Sequence, residues 1–170
     1  MKYAKALGKK IKLLGITYNI DGKIYSEVAP HMIDKTHMLY MVDDVMNGIE
    51  THGNLLGDTM FYGAGAGKLP TASAVVSDII DEVKHLHVNI PIKWDAESAN
   101  LADHATHRSK FFVRVDAECE EMKSMFNIEQ LMTLADVPDE YAIVTEELTF
   151  AEFYGKIEGC KHIRNIIQVK

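Results

Sequence analysis

Apolar residues recur at nearly every second position of residues 11–20, which is typical of a β-strand that buries one face. The dipeptide Asp21-Gly22 follows, a strong signal for a two-residue hairpin turn. A return strand is predicted over residues 24–28 and is expected to end at Pro30, because proline donates no backbone hydrogen bond. Just before this hairpin, residues 3–7 look like the last turn of a helix.

The alternation resumes further along the chain. Residues 45–51 and 55–62 predict two more strands, joined by a turn at His52-Gly53-Asn54. Residues 31–40 show little periodicity and are predicted to be a loop. These strands predict a mostly antiparallel meander.

The hydrophobic period then changes to that of a helix. Residues 70–84 predict a helix, and Pro70 suits its first turn because the missing N–H is not needed there. The apolar residues fall on one face of this helix: Ala72, Val75, Val76, Ile79, Ile80 and Val83.

A glycine-rich bend joins the last strand to this helix. Gly63, Gly65 and Gly67 alternate with alanine, so another group can approach the backbone closely. Two interpretations remain open: a tight turn whose glycines serve packing only, or a binding site at a helix start. No Gly-Lys-Ser/Thr sequence closes the bend, so it is not a phosphate-binding P-loop.

The C-terminal part of the chain has a different pattern. Residues 88–108 show no sustained period and predict a linker, with a short helix around residues 96–105. The segments that follow predict the order β-α-β-β-α-β, which is ferredoxin-like. These segments are strand 111–115, helix 118–126, strand 129–134, a turn at 136–139 around Pro138, strand 141–145, helix 149–157 with Thr149 and Glu152 as a capping box, and strand 163–169.

Composition narrows the possible partners. The chain of 170 residues has a net charge of −7, which argues against nucleic acid or an anionic membrane surface as the main partner. No apolar run is long enough to span a bilayer, and no signal peptide precedes the first strand. Cys119 and Cys160 are the only cysteines, so free thiols in a reducing cytoplasm are expected.

Histidines are the remaining candidate for chemistry. His85, His87, His104 and His107 lie in or beside the predicted linker without the spacing of a zinc site. We therefore interpret them as solvated linker residues and assign no metal ligand.

One segment resembles a known family. It reads Phe61-Tyr62-Gly63-Ala64-Gly65-Ala66-Gly67, followed by Pro70-Thr71-Ala72-Ser73-Ala74. This segment resembles the C-terminal part of bacterial homoserine dehydrogenase, as do residues 12–16 and 28–33. The resemblance covers residues 1–85.

The resemblance implies a parent oxidoreductase that interconverts homoserine and aspartate 4-semialdehyde with NADP or NAD. It implies a cytoplasmic homodimer in threonine and methionine biosynthesis, with a small-molecule substrate. The cofactor-binding half and the catalytic lysine would precede Met1, so no catalytic residue is assigned here. The chain alone is expected to be inactive, with no cofactor bound. The residues that the resemblance places near the cofactor are Gly63, Ala64 and Gly65.

Residues 110–170 resemble an ACT domain, a module that senses amino acids. Where that family has a glycine after the first strand, this chain has Asp116-Ala117-Glu118-Cys119-Glu120-Glu121. These acids would repel a carboxylate effector, so dimerisation or a degenerate regulatory role is the favoured interpretation of this module, with an amino-acid effector still possible.

The predicted fold class is therefore α+β. It has an antiparallel or mixed sheet with packed helices in residues 1–88, a linker at 89–109 and an ACT-like ferredoxin-fold domain in 110–170. The alternative is a free-standing ACT-like sensor or interaction protein without catalysis.

Overall fold

The structure is a computed structural model that describes residues 1–89 and 91–170. It divides into two compact units. The sheet unit comprises Met1–His37 and Ala99–Lys170, and the ribbon unit comprises Met38–Ser98. The domain boundaries predicted at 88/89 and 109/110 stay a prediction.

The helices and strands, in chain order, are α1 (Lys2–Ala6), β1 (Lys10–Ile20), β2 (Lys23–Ile33), β3 (Met46–Gly53), β4 (Gly57–Ala64), α2 (Lys68–Lys84), β5 (Arg108–Asp116), α3 (Met122–Met125), β6 (Ile128–Leu134), β7 (Val137–Thr145), β8 (Leu148–Thr149), α4 (Phe150–Lys156) and β9 (Ile163–Val169). Short 3-10 helices occur at Met38–Met41 and His104–Thr106. The prediction of a helix around residues 96–105 is therefore wrong. Residues 31–40, predicted to be a loop, contain the end of β2 and the start of a 3-10 helix.

The first hairpin forms as predicted. Asp21 and Gly22 have φ values of 50° and 79°, as a tight hairpin turn requires. The prediction that Pro30 ends the return strand is wrong, because β2 continues to Ile33. β9 pairs with β2 only at His31 and Met32, so most of β2 has a strand neighbour on one side only. Such an edge position tolerates a proline.

The sheet unit is built on one mixed sheet with the strand order β1-β2-β9-β5-β7-β6. β2 and β9 run parallel, and the other neighbours along this path are antiparallel. The predicted α+β class with a mixed sheet and packed helices is confirmed. The elements β5-α3-β6-β7-α4-β9 follow one another in the predicted β-α-β-β-α-β order, with the two-residue β8 inserted before α4.

Two local predictions in this unit are wrong. Helix α3 is a single turn, shorter than the predicted helix over 118–126. The turn predicted at 136–139 lies earlier, because Leu134 pairs with Val137 and β7 begins there. Pro138 stands inside β7 at a position that is paired with neither β5 nor β6, so its missing N–H leaves the ladder intact.

Apolar clusters cover both faces of the sheet. Successive residues of β5 belong to opposite clusters. Phe111 is in the cluster that includes Phe150 and Phe153 of α4, whereas Phe112 is in the cluster that includes Tyr3 of α1. A strand buried on both faces gives a continuous apolar run in the sequence. The Thr149–Glu152 capping box that starts α4 is confirmed.

The ribbon unit consists of the β3–β4 hairpin, the glycine bend and α2. β3 and β4 pair from Met46↔Ala64 to Gly53↔Gly57, so the predicted turn is shifted to the residues between Gly53 and Gly57. No described residue of this unit is fully buried.

Candidate functional site: a glycine bend between β4 and α2

The glycine bend has the predicted order of strand, bend and helix. Gly63 and Ala64 are the last residues of β4, and α2 begins at Lys68. All residues from Gly63 to Gly67 are exposed. The backbone of the bend is therefore accessible from outside the chain.

Each glycine of the bend has a different structural role. A Cβ on Gly65 would lie 2.2 Å from Nδ2 of Asn47, so the Asn47 side chain occupies the space that a larger residue would need. Gly67 has φ +116°, a backbone conformation that favours glycine. A Cβ on Gly63 would meet nothing within 4 Å. Packing therefore explains Gly65 and backbone geometry explains Gly67, while neither explains Gly63.

Asn47 is a residue of this site that the sequence did not single out. It pairs with Gly63 across the ribbon, and its Nδ2 lies 3.5 Å from the carbonyl oxygen of Val45. The signal that could have found it is the register of β3 against β4, which the shifted turn prediction obscured.

The start of α2 adds electrostatic character to the bend. Its N-cap is Gly67, which has no side chain that could accept a hydrogen bond from the first turn. The first N–H groups of a helix have no partner within the helix, and the helix dipole makes this end partly positive. Lys68 adds a formal positive charge. An anionic or polar group is therefore favoured beside the bend.

Two of the linker histidines contribute to packing in the sheet unit. His107 is half-buried, and its ring stacks on Tyr25 with centroids 3.8 Å apart. The His104 ring meets Phe150 edge-on at 4.3 Å. Burial lowers the pKa of His107, which favours its neutral form. The interpretation of these residues as solvated is wrong for His107, and His85 and His87 are exposed.

A buried carboxylate lies beside this stack. Glu27 accepts a hydrogen bond from Gln168 Nε2 at 2.9 Å, and His31 Nε2 lies 3.3 Å from its other oxygen. Burial raises the pKa of Glu27, but the hydrogen bond from Gln168 and the nearby Tyr25 hydroxyl outweigh burial and hold the pKa below its usual value. Within residues 1–89 and 91–170, no group of three or more His, Cys, Asp or Glu side chains is arranged to hold a metal ion.

The family model described as homoserine dehydrogenase matches residues 1–80, which include the whole bend. A homoserine dehydrogenase of Neisseria gonorrhoeae is 40% identical over 131 residues, covering 71% of this chain and 29% of that protein. A homoserine dehydrogenase of Bacillus subtilis is 27% identical over 187 residues, covering 100% of this chain and 43% of that protein.

Solved structures give the same result. A homoserine dehydrogenase of S. aureus at pH 7.0 matches 99% of this chain and 44% of its own with a TM-score of 0.71 and 31% identity. One from Thiobacillus denitrificans has a TM-score of 0.79 at 24% identity, covering 99% of this chain and 44% of that one, which supports the fold.

The chain is therefore similar to homoserine dehydrogenases over its whole length. It spans less than half the length of these two bacterial relatives, and it is homologous to part of such an enzyme. The resemblance stated from the sequence is confirmed. The ACT-like character of residues 110–170 and the cofactor role of Gly63, Ala64 and Gly65 stay predictions. In the part of the chain that the structure describes, no helix has the length and apolarity needed to cross a membrane.

Proposed function

We propose that the protein containing this chain is a homoserine dehydrogenase that interconverts L-homoserine and L-aspartate 4-semialdehyde with NADP or NAD. The observation that carries this proposal is the match of residues 1–80 to the family, within which an exposed glycine bend leads into a helix without a side-chain cap. The bound nicotinamide would supply the hydride chemistry. No catalytic lysine is assigned within this chain.

The proposed role of this chain is to present bare main chain to the cofactor at Gly63, Ala64 and Gly65. A flat ring can approach a peptide backbone closely only where no side chain intervenes. Gly63 fits this role because the space beside its Cα is open, so nothing in this chain requires a glycine there. The uncapped start of α2 favours the polar or anionic groups of a cofactor.

The test is Gly63→Ala in the complete enzyme. The new methyl group would meet no atom of the described residues within 4 Å, so the fold should be retained. If the cofactor lies on this backbone, the KM for NADPH or NADH should rise about tenfold or more, which corresponds to about 1.4 kcal/mol of lost binding.

The matched control is Gly53→Ala. Gly53 lies at the opposite end of the same ribbon, and its nearest neighbour to an added Cβ is the Gly57 carbonyl oxygen at 4.0 Å. The control should leave the KM unchanged. Equal KM values for Gly63→Ala and wild type would contradict the placement of the cofactor.

We further propose a cytoplasmic homodimer that acts in threonine and methionine biosynthesis. The exposed apolar face of α2 supports an association with other protein surface. Residues 110–170 would serve dimerisation or regulation.

Calorimetric titration with threonine, methionine and lysine tests whether residues 110–170 bind an amino-acid effector. The acidic segment 116–121 leads us to expect no threonine binding there.

A further inference from the structure

Cys119 and Cys160 lie on two loops that leave the same end of the sheet. The strands β5 and β9 are paired up to Val115↔Ile163. The pairing continues one step further, because the Asp116 N–H donates to the His162 carbonyl oxygen at 3.0 Å. The segments carrying the two cysteines therefore diverge from one hydrogen-bonded pair.

The two cysteines are neighbours in this region. Both line a cavity of about 330 Å³ at the surface of the sheet unit. Cys160 packs against the apolar cluster that contains Cys119. It also lies close enough to the Cys119 thiol to contribute to the rise of that thiol's pKa. The Cys119 backbone is held by a hydrogen bond that the Tyr141 hydroxyl donates to its carbonyl oxygen.

The two cysteines differ in access. Cys119 is 7% exposed, and burial raises the pKa of its thiol, which makes it a poor first nucleophile. Cys160 is only half-buried and has Lys161 and His162 as neighbours along the chain. Cys160 is therefore the thiol that a small reagent reaches first, with Cys119 behind it.

We propose that Cys119 and Cys160 form a reversible intramolecular disulfide, and that the oxidant is a low-molecular-weight disulfide such as oxidised glutathione. The Cys160 thiol loses its proton, and its sulfur attacks one sulfur of the reagent, releasing one small thiol. The Cys119 thiol then loses its proton and attacks the Cys160 sulfur, releasing the second small thiol. Two protein thiols are oxidised, one reagent disulfide is reduced, and the two protons end on the released thiols.

This bond joins the segment before α3 to the segment before β9. It closes a covalent loop that contains α3, β6, β7, β8 and α4. A cross-link over a loop of this size stabilises the folded state mainly by restricting the unfolded chain, so the Tm of the oxidised protein should rise by roughly 10 °C. The effect is independent of any cofactor.

The experiment treats the purified, fully reduced chain with oxidised glutathione and removes the excess. We expect both thiols to be lost to Ellman's reagent and the mass of the intact chain to fall by two hydrogen atoms, without a glutathione adduct. A peptide map under non-reducing conditions should join the fragments that carry Cys119 and Cys160, and dithiothreitol should restore both thiols and the original Tm.

The single variants separate this proposal from simple surface oxidation. Cys160→Ser should leave Cys119 as an unmodified thiol, because its partner and its route of attack are gone. Cys119→Ala should leave Cys160 carrying one glutathione. The proposal is overturned by glutathione on both cysteines of the wild-type chain, by a disulfide between two copies of the chain, or by two thiols that stay free.

Discussion

Glu140 shows how single residues tie the sheet unit together. This buried carboxylate accepts two hydrogen bonds from Arg114, at 3.1 and 2.8 Å, and another from Arg164 Nη1 at 2.8 Å. The guanidinium groups of Arg114 and Arg164 hold the pKa of Glu140 below its ordinary value of 4.5, although burial opposes this shift. Breaking one partner of such a network is costly because a charge stays buried.

This network predicts a pH dependence of stability. A carboxylate whose folded pKa is depressed contributes its full stability above about pH 4.5 and loses it as the pH falls through the folded pKa. The free energy of unfolding of the wild type should therefore fall as the pH drops below about 4.5, and Glu140→Gln should flatten this slope. Urea unfolding at a series of pH values measures this dependence of the free energy of unfolding on pH.

The matched control is Glu120→Gln, at an exposed carboxylate that pairs with Lys123 on the surface. This change should leave the slope as in the wild type, because exposed ion pairs contribute little. An unchanged slope in Glu140→Gln would contradict the stabilising role of the network.

At the scale of elements, the β1–β2 hairpin holds the segment that leads into β5. The Ile24 N–H donates to the Asn100 carbonyl at 2.8 Å, and the Ala102 N–H donates to the Ile24 carbonyl at 2.9 Å. Further along the same segment, the ring of His107 stacks on Tyr25 of β2. The segment is therefore fixed by backbone and ring contacts within the sheet unit.

His107→Ala should lower the free energy of unfolding by about 1–3 kcal/mol, because it removes a half-buried ring from an aromatic stack. His85→Ala is the control, since His85 is exposed and lies at the end of α2. It should change stability by less than about 0.5 kcal/mol. Chemical denaturation measures both, and equal effects would mean that the stack does not stabilise the segment.

Helix α2 is the second element with a testable property. The side chains of its apolar face are 49–60% exposed: Val75, Val76, Ile79, Ile80 and Val83. A face of this kind tends to bind another surface. In the isolated chain we expect it to drive self-association.

Ile79→Lys should shift the isolated chain toward the monomer, as measured by analytical ultracentrifugation. Ser77→Lys adds the same single charge to the same helix outside this apolar face and should leave the association unchanged. Strong protection of residues 72–83 from deuterium exchange in a proven monomer would contradict the self-association of this face.

At the scale of the whole molecule, the sequence predicts where helices and turns lie better than it predicts which strands pair with each other. Asp21-Gly22 and the Thr149–Glu152 capping box carry local signals, so the hairpin and α4 could be placed from a few residues each. The strand residues around Pro30 and Pro138 could not be placed in this way. Whether a strand tolerates a proline depends on which of its residues pair across the sheet.

The candidate site divides in the same way. The alternating glycines and the helix that follows could be read from the sequence, whereas the contact of Asn47 with Gly65 depends on the register of β3 against β4. The packing of His107 on Tyr25 likewise joins residues far apart along the chain.

The central claim is that a nicotinamide cofactor lies against the backbone of Gly63, Ala64 and Gly65. Hydrogen–deuterium exchange of the complete protein, with and without saturating NADPH or NADH, tests it most directly. The amides of the exposed segment 63–67 should exchange quickly without cofactor and at least about tenfold more slowly with it. Unchanged exchange across this segment, in a sample whose fluorescence proves that the cofactor is bound, would contradict the claim.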